Sequence, residues 1–285
     1  MILFKRSKDL HNYLDIQREK GRNFGFVPTM GALHEGHISL VKAAKKNEDL
    51  CISSIFINPT QFNDPADFKK YPITLEQDIA LLEAAGCDVL FLPSVDEIYP
   101  QGTKATTHYD LGPIETILEG HYRPGHFQGV CMVVHRLLEI VTPDSLYIGQ
   151  KDYQQCMVIK KLVELIGMKE LTHVNISPTL READGLAMSS RNIRLSEEER
   201  KNAIAIYQTL HFVKDHLAKG ELADLKKQAE NSLIEKGFKV DYVEIADATS
   251  LIITDHWDGK QKLVALAAAF LNQVRLIDNI KLNGS

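Results

Sequence analysis

The sequence has no apolar run long enough to cross a lipid bilayer, and it contains neither an internal repeat nor a low-complexity tract. Its segment 1–7 lacks the succession of basic, apolar and small residues that marks a signal peptide. Cysteine is scarce, and Cys51, Cys87, Cys131 and Cys156 are widely separated, with no Cys-x-x-Cys pair among them. We therefore expect buried free thiols, no membrane insertion and a reducing, cytoplasmic location.

An excess of positive charge is also missing, because 33 lysine and arginine residues are outnumbered by 38 aspartate and glutamate residues. The formal net charge of -5 disfavours broad binding to nucleic acid or to an anionic membrane. What remains is an ordinary globular composition, with 44% hydrophobic and 25% charged residues in a length of 285. Such a chain can bury a substantial core in one large domain or two modest ones.

The segment Pro28–His37 is the most informative part of the chain. It follows the apolar run Phe24–Val27, which is typical of a buried parallel strand, and precedes Ile38–Lys46, whose apolar spacing predicts a helix. We therefore expect a loop at the carboxyl end of a strand, where open α/β sheets bind ligands. The N-terminus of the following helix would attract an anion, and His34 and His37 would share one face of its first turn. Alone this pair is weak evidence, because a chance pairing is common among 11 histidines.

Strand-like and helix-like segments alternate through the first two thirds of the chain, which predicts a Rossmann-like parallel sheet of the α/β class. The predicted strands are 24–27, 50–57, 87–93, 145–148 and 173–178, and the predicted helices are 5–20, one from near Gly36 to 46, 75–85, 130–141 and one from about 153 to 167. Two helices at 196–219 and 222–236 are then followed by three strands, which predicts a smaller α+β domain. We place the first domain at 1–184 and the second at 185–285.

Several loops carry further local predictions. Thr74–Gln77 has capping-box spacing and predicts the start of a helix. The polar, glycine-rich stretch 119–129 is predicted to be a loop, either functional or a surface excursion. Lys151 follows the fourth strand and could contact a phosphate, with Asp152 suited to a helix N-terminus; a solvated Lys–Asp pair is the commoner alternative.

Two distant motifs resemble the signatures of the nucleotidyltransferase superfamily that includes class I aminoacyl-tRNA synthetases. The motifs are His34–His37, early on the predicted sheet, and Met188–Arg191, after its fifth strand. In that superfamily a His-x-Gly-His loop and a Lys-Met-Ser-Lys-Ser loop hold ATP from opposite sides. Arg191 stands about where the second lysine would be, and an arginine binds phosphate with a planar fork.

Additional motifs narrow the resemblance to one family. In chain order they are Pro28–His37, Ile57–Phe62, Tyr71-Pro72, Arg123–Phe127, Gly149–Gln155 and Met188–Asn192, with Arg275–Asn279 further on. Together they are similar to the pantoate–β-alanine ligases, over essentially the whole chain. Gln150 is a departure, because the family often has glutamate at that place.

The resemblance implies roles for individual residues. His34, His37 and Lys151 would act at the ATP phosphates, with His37 as the proton donor, while Gln61 and Gln155 would hold pantoate and Gln61 would also lie near β-alanine. The residues implied for ATP binding are Met30, Gly31, Ala32, Leu33, His34, Glu35, Gly36, His37, Gly149, Gln150, Lys151, Asp152, Ser177, Met188, Ser189, Ser190 and Arg191.

The implied reaction is the ATP-dependent condensation of (R)-pantoate with β-alanine to pantothenate, AMP and pyrophosphate through a pantoyl adenylate. Such chemistry requires cations and N–H donors around a triphosphate and no side-chain nucleophile. Mg²⁺ would bridge phosphate oxygens with few protein ligands. Asp78 is a candidate carboxylate near it, although a solvated helix residue is the favoured interpretation. The family resemblance also implies a homodimer formed through the N-terminal domain.

Alternative functions remain open at this stage. Another adenylyl-transferring enzyme of the superfamily could act on a different acid, but the neutral pair Gln61 and Gln155 favours a small hydroxy acid over a phosphorylated substrate. A non-catalytic nucleotide sensor would not need the phosphate-binding set, which comprises His34, His37, Lys151 and Arg191. A tRNA synthetase is disfavoured by the acidic balance and the lack of an anticodon-sized appendage.

Overall fold

The computed structural model describes residues 1–63, 68–104 and 107–283. The chain divides into two compact units, a larger one of Met1–Gly149 with Val158–Pro178 and a smaller one of Gln150–Met157 with Thr179–Ser285. The predicted domain boundary after residue 184 stays a prediction.

A parallel sheet forms the centre of the larger unit, in the strand order β1-β4-β3-β2-β5-β6. Its strands are β1 (Ile2–Phe4), β2 (Phe24–Thr29), β3 (Leu50–Ile55), β4 (Val89–Phe91), β5 (Ser145–Gly149) and β6 (His173–Ser177). The sheet confirms the predicted Rossmann-like fold. The short edge strand β1 was not predicted, because three residues are too few to show a strand pattern.

Helices follow the strands of the larger unit in the predicted alternation. They are α1 (Ser7–Glu19), α2 (Glu35–Asn47), α3 (Leu75–Ala84), α4 (Val95–Ile98), α5 (Glu119–Tyr122), α6 (His126–Val141) and α7 (Tyr153–Leu165). Buried side chains of β2, β3 and α2 pack together, among them Val27, Val41 and Cys51. The four cysteines are buried free thiols, as predicted, and burial raises the pKa of Cys131 to about 12.

The predicted loop at 119–129 is partly helical. Helix α6 begins at His126, earlier than the apolar pattern indicated, because Gly125 adopts a left-handed conformation at the N-cap. Gly129 in its first turn lies against the loop after β3, where an added Cβ would be 2.3 Å from the Thr60 carbonyl oxygen. Only glycine permits this close approach, so the first turn of α6 packs directly against the backbone of the loop after β3.

The smaller unit has the predicted α+β composition. Its antiparallel sheet has the order β11-β10-β8, with a separate two-stranded pair β7-β9. The elements are α8 (Glu197–Ala203), α9 (Ala205–Asp215), β7 (Gly220–Glu221), α10 (Ala223–Glu235), β8 (Phe238–Asp247), β9 (His256–Trp257), β10 (Leu263–Leu271) and β11 (Val274–Lys281). The single helix predicted over 196–219 is two helices joined at Ile204, whose backbone stays close to helical, so the apolar spacing continues across the break.

Candidate active site

Four strands of the larger unit end at one edge of its sheet. Met30 directly follows β2, Asn58 lies just beyond β3, and Gly149 and Ser177 end β5 and β6. These four strands are parallel neighbours, so their carboxyl ends share an edge. The structure thus brings the predicted residues of the larger unit to the part of the sheet where α/β proteins bind ligands.

Two histidines form the cap of helix α2. His34 is the N-cap residue, and its Nδ1 atom accepts a hydrogen bond from the Gly36 backbone N–H at 3.1 Å. The Nδ1 atom of His37 accepts one from the His34 backbone N–H at 3.3 Å. This reciprocal arrangement is a capping box in which imidazoles replace the usual serine and glutamate. The ring centroids lie 4.1 Å apart.

The cap determines which nitrogen of each ring holds the proton. A nitrogen that accepts a backbone N–H bond must offer its lone pair, so Nδ1 of both His34 and His37 is unprotonated. Each neutral ring therefore has its proton on Nε2, an assignment that follows from the hydrogen-bond network. Two Nε2–H donors accompany the backbone N–H groups of the helix terminus, a combination suited to phosphate oxygens.

Asp78 holds the loop between β2 and α2, which contains His34, through hydrogen bonds to its backbone. Its carboxylate accepts hydrogen bonds from the backbone N–H groups of Ala32 at 2.9 Å and Leu33 at 2.8 Å, and from the Thr74 hydroxyl at 3.1 Å. The favoured sequence interpretation of a solvated residue is wrong, since Asp78 is only 2% exposed. Thr74 begins helix α3 as predicted, but its hydroxyl binds Asp78 and makes no cap bond, so the capping-box prediction is also wrong. The partner of Asp78 is a loop some 45 residues away, which spacing along α3 does not reveal.

Gln61 is oriented by Asn58, a residue of the Ile57–Phe62 motif to which the sequence assigned no role of its own. The buried Asn58 donates from Nδ2 to the Gln61 Oε1 atom at 3.0 Å and to the Gly129 carbonyl at 3.1 Å, and its own Oδ1 accepts from the Tyr99 hydroxyl at 2.8 Å. Burial raises the pKa of Tyr99 to about 12, so the phenol remains a donor. With Oε1 engaged, Gln61 presents its Nε2 donors, one of them 3.1 Å from the Met30 sulfur. The sequence signal for this role was an asparagine that precedes a proline directly after a predicted strand.

The predicted phosphate segment after β5 belongs to the smaller unit. Gln150–Asp152 forms a 3₁₀ turn that leads into α7, whose first turn contains Gln155. The side chain of Asn279 on β11 contacts the Gln150 and Lys151 carbonyls. Lys151 is mostly buried, and its Nζ lies 3.8 Å from the Asp152 carboxylate, which is an ion pair without a short hydrogen bond.

The loop before Met188 is held by two arginines. Arg181 pairs with Asp278 at 2.6 Å and donates to the Gly185 carbonyl. Arg200 binds Glu182 and Asp184, each at 2.7 Å, and its hydrogen bonds lower the pKa of the Asp184 carboxyl. The segment then passes into a 3₁₀ turn at Ser190–Arg194, where the Ser189 hydroxyl accepts from the Arg191 backbone N–H. A short, braced loop thus presents Ser189, Ser190 and Arg191.

Within the described ranges 1–63, 68–104 and 107–283, no group of three or more histidine, cysteine or acidic side chains is placed to hold a metal ion. In the same ranges no helix is long and apolar enough to cross a membrane.

The chain is similar to known proteins over its whole length. A family profile described as pantoate-beta-alanine ligase matches residues 2–281. A pantothenate synthetase from Phocaeicola vulgatus is 45% identical over 289 residues, which covers 100% of both chains. Another from Acetivibrio thermocellus is 45% identical over 284 residues, covering 98% of this chain and 99% of the relative.

Solved structures give the same result. The crystal structure of pantothenate synthetase from Thermus thermophilus matches with a TM-score of 0.89 at 38% identity, with 100% of both chains covered. A pantoate-β-alanine ligase from Francisella tularensis, complexed with β-γ ATP and β-alanine, matches with a TM-score of 0.81 at 39% identity, over 100% of this chain and 99% of that one.

Proposed function

The chain belongs to the pantoate–β-alanine ligase family, and we propose that the residues described above perform the family's reaction through a pantoyl adenylate. The protein is a carbon–nitrogen bond-forming ligase that joins pantoate to β-alanine with ATP as cosubstrate. The observation that supports the residue roles best is the histidine capping box, which directs two Nε2–H donors from a helix N-terminus at the ligand-binding edge of the sheet.

In the first step the pantoate carboxylate attacks the α-phosphorus of ATP, and pyrophosphate leaves. Negative charge grows on the departing phosphates, where Nε2–H of His34 and His37 donates hydrogen bonds that strengthen in the transition state. His37 acts here through a hydrogen bond and keeps its proton, because its Nδ1 atom accepts a backbone N–H and a neutral ring that lost the Nε2 proton would become an anion. Lys151 supplies a cation, and Ser189, Ser190 and Arg191 add hydroxyl and guanidinium donors to the phosphates. The remaining ATP contacts come from Met30–His37, Gly149–Asp152 and Ser177.

Gln61 and Gln155 bind pantoate. Asn58 holds the Gln61 amide with its Nε2 donors outward, which suits the carboxylate or a hydroxyl of a small hydroxy acid. Both amides are neutral, so they orient the nucleophilic carboxylate without the strong attraction that a cation would exert on it. In the second step the β-alanine amine, near Gln61, attacks the activated carbonyl and AMP leaves.

Mg²⁺ fits this site as an ion carried by the ATP phosphates. The Asp78 carboxylate, which lies against the loop that contains His34, already accepts two backbone N–H bonds and a hydroxyl bond, so it serves the loop rather than a metal. Oxygen atoms of the triphosphate, completed by water, are ligands that Mg²⁺ prefers. The ion would neutralise phosphate charge when bound.

We further propose a cytoplasmic homodimer with domains 1–184 and 185–285. Light scattering on the purified protein tests the assembly, because a dimer of the 32.1 kDa chain has a mass of about 64 kDa, twice that value. A concentration-independent mass near that of one chain would reject it.

Exchange of labelled pyrophosphate into ATP tests the adenylate. With pantoate and Mg-ATP but without β-alanine, we expect rapid exchange, because the first step is reversible and complete in itself. Omission of pantoate should abolish it, and AMP release should require all three substrates. Exchange that strictly requires β-alanine would show that no separable adenylate forms.

A further inference from the structure

The side chain of Asn279 makes its hydrogen bonds to one turn that is distant in sequence, Gln150–Asp152. It lies on β11 opposite Leu266 and is 2% exposed. Its Nδ2 atom donates to the carbonyl oxygens of Gln150 at 3.0 Å and Lys151 at 2.8 Å, and its Oδ1 atom accepts from the Gln150 Nε2 atom at 3.2 Å. All three hydrogen bonds reach residues 128 or 129 positions earlier in the chain.

These bonds set the backbone from which Lys151 extends. The 3₁₀ turn Gln150–Asp152 is three residues long, and two of its carbonyl oxygens accept from the Asn279 side chain. The Lys151 ammonium is 3.8 Å from the Asp152 carboxylate, a separation at which the ion pair does little to orient it. Asn279 is therefore a buried side chain bonded directly to the backbone of the turn from which this lysine extends.

The neighbouring residue makes Asn279 rigid. One Asp278 carboxylate oxygen accepts the Asn279 backbone N–H at 2.8 Å, and the two oxygens bind Arg181 at 2.6 and 3.0 Å. Arg181 in turn donates to the carbonyls of Gly185 and Asn279. Two consecutive residues of β11 thus hold two separate segments. Asn279 holds the turn Gln150–Asp152, which we call the lysine turn, and Asp278 holds the loop before Met188 through Arg181.

We infer that Asn279 is a positioning residue for ATP binding. It fixes the position of Lys151 by donating hydrogen bonds to carbonyl oxygens of the Gln150–Asp152 turn. The inference rests on the proposed phosphate role of Lys151. A residue that acts in this way affects ATP affinity selectively, whereas a merely structural residue affects the stability of the smaller unit and both substrates alike.

Asn279→Ala tests the inference, with Asn283→Ala as the matched control. Asn283 also cross-links backbone within the smaller unit, accepting from the Leu263 N–H at 2.7 Å and donating to the Gln261 carbonyl at 2.8 Å, but it does not contact the lysine turn. ATP affinity is measured by calorimetry and the KM values by pyrophosphate exchange. We expect Asn279→Ala to weaken ATP binding by about 10- to 100-fold, the range for two or three lost hydrogen bonds. The KM for pantoate should stay within about twofold.

Asn279→Asp provides a second, isosteric variant. It keeps the acceptor for Gln150 but turns a carboxylate oxygen toward two carbonyl oxygens, so its ATP affinity should fall at least as far. Thermal melting and circular dichroism of each variant report whether it folds. If Asn279→Ala does not fold, the ATP affinity of the folded Asn279→Asp variant decides whether the inference holds. If neither Asn279 variant folds while Asn283→Ala does, Asn279 is needed for folding and the inference is wrong.

The remaining outcomes separate the two proposals. If both Asn279 variants bind ATP like Asn283→Ala, or if pantoate and ATP weaken equally, the positioning role is wrong while the ligase reaction stands. If the unmodified protein binds ATP yet shows no pantoate-dependent exchange, the proposed reaction fails, and the calorimetric comparison still decides the role of Asn279.

Discussion

At the scale of single residues, His34 and His37 each have two tasks. Their Nδ1 atoms hold the first turn of α2, and their Nε2–H groups are the donors that we assign to the ATP phosphates. The helix terminus and the phosphate site are therefore built from the same two rings. For a substitution at either position, the effect on the stability of the fold must therefore be measured separately from the effect on the reaction rate.

His37→Ala and His37→Asn make that separation. An asparagine oxygen lies near the position of Nδ1 and can keep the cap, but it places no donor where Nε2 was. We expect His37→Ala to lose about 1 kcal/mol of unfolding free energy and His37→Asn much less. Both should slow adenylation about 10²–10³-fold, the usual effect of removing one preorganised donor.

Single-turnover assays of each half-reaction measure these effects. Conversion of preformed pantoyl adenylate with β-alanine should continue at an appreciable rate in both variants, since that step builds no pyrophosphate charge. Near-normal pyrophosphate exchange, or equal loss of the two steps, would contradict the role assigned to His37.

Asp78→Asn should release the loop that contains the histidines. One amide atom can still accept an N–H bond, but the other becomes a donor that faces a backbone donor, Ala32 or Leu33. We expect a loss of about 1–3 kcal/mol in unfolding free energy, together with weaker ATP binding. Thr74→Val removes only the hydroxyl bond and is the milder control. Urea unfolding and ATP titration check both, and an unchanged ATP affinity in Asp78→Asn would show that the carboxylate does not maintain the site.

At the scale of elements, the loop from Arg181 to Met188 is held by charge as well as by the single β-bridge between Arg181 and Ala187. Arg200 on α8 reaches both Glu182 and Asp184. Because Arg200 lowers the pKa of Asp184 in the folded protein, the pairing contributes stability above the ordinary aspartate pKa of about 3.9 and loses it as the pH falls through the folded value.

Arg200→Met tests this pairing through its pH dependence. At pH 7 the variant should unfold at a lower urea concentration than the unmodified protein. The difference should shrink below about pH 4, because the unfolded chain protonates Asp184 there while the folded unmodified protein does so only at lower pH. Arg200→Lys keeps the charge but not the fork that spans two carboxylates, so it should be intermediate. A difference that persists undiminished to pH 3 would assign the effect to packing of the arginine stem.

At the scale of the whole molecule, the adenylate should stabilise the fold by mass action. A ligand present at 100 times its dissociation constant adds about 2.7 kcal/mol to the unfolding free energy. ATP with pantoate should therefore raise the melting temperature more than either alone, and adding β-alanine should reverse much of the rise because turnover empties the site. Calorimetric scans measure this, and a rise with ATP and pantoate no larger than with ATP alone would contradict formation of a tightly held intermediate.

Local sequence patterns predicted the elements and the histidine loop because their causes are local. Strand Phe24–Thr29 and helix Glu35–Asn47 follow from apolar periodicity, and the place of the histidine loop follows from the strand-to-helix junction. His34 was predicted in the first turn of the helix but is its N-cap. Asp78, Asn58 and Asn279 were misread or missed because each acts through hydrogen bonds to partners far away in the chain, up to 129 residues for Asn279. A pattern within one element does not contain such a partner, so these supporting residues emerge only from the folded chain.

The bonds from Asn279 to the lysine turn also impose an order in time. During synthesis the strands β1 to β6 have all left the ribosome's decoding site before β11 is translated. At 5–20 residues per second, about 6–26 s separate the addition of Gln150 from that of Asn279, 129 residues later. During that interval β6 is added and the nascent chain can complete its parallel sheet, while the turn that bears Lys151 has not yet bonded to Asn279. By the inference that Asn279 positions Lys151, we expect a nascent chain to reach its full ATP affinity only after residue 279 has been added, when most of the protein has already been made.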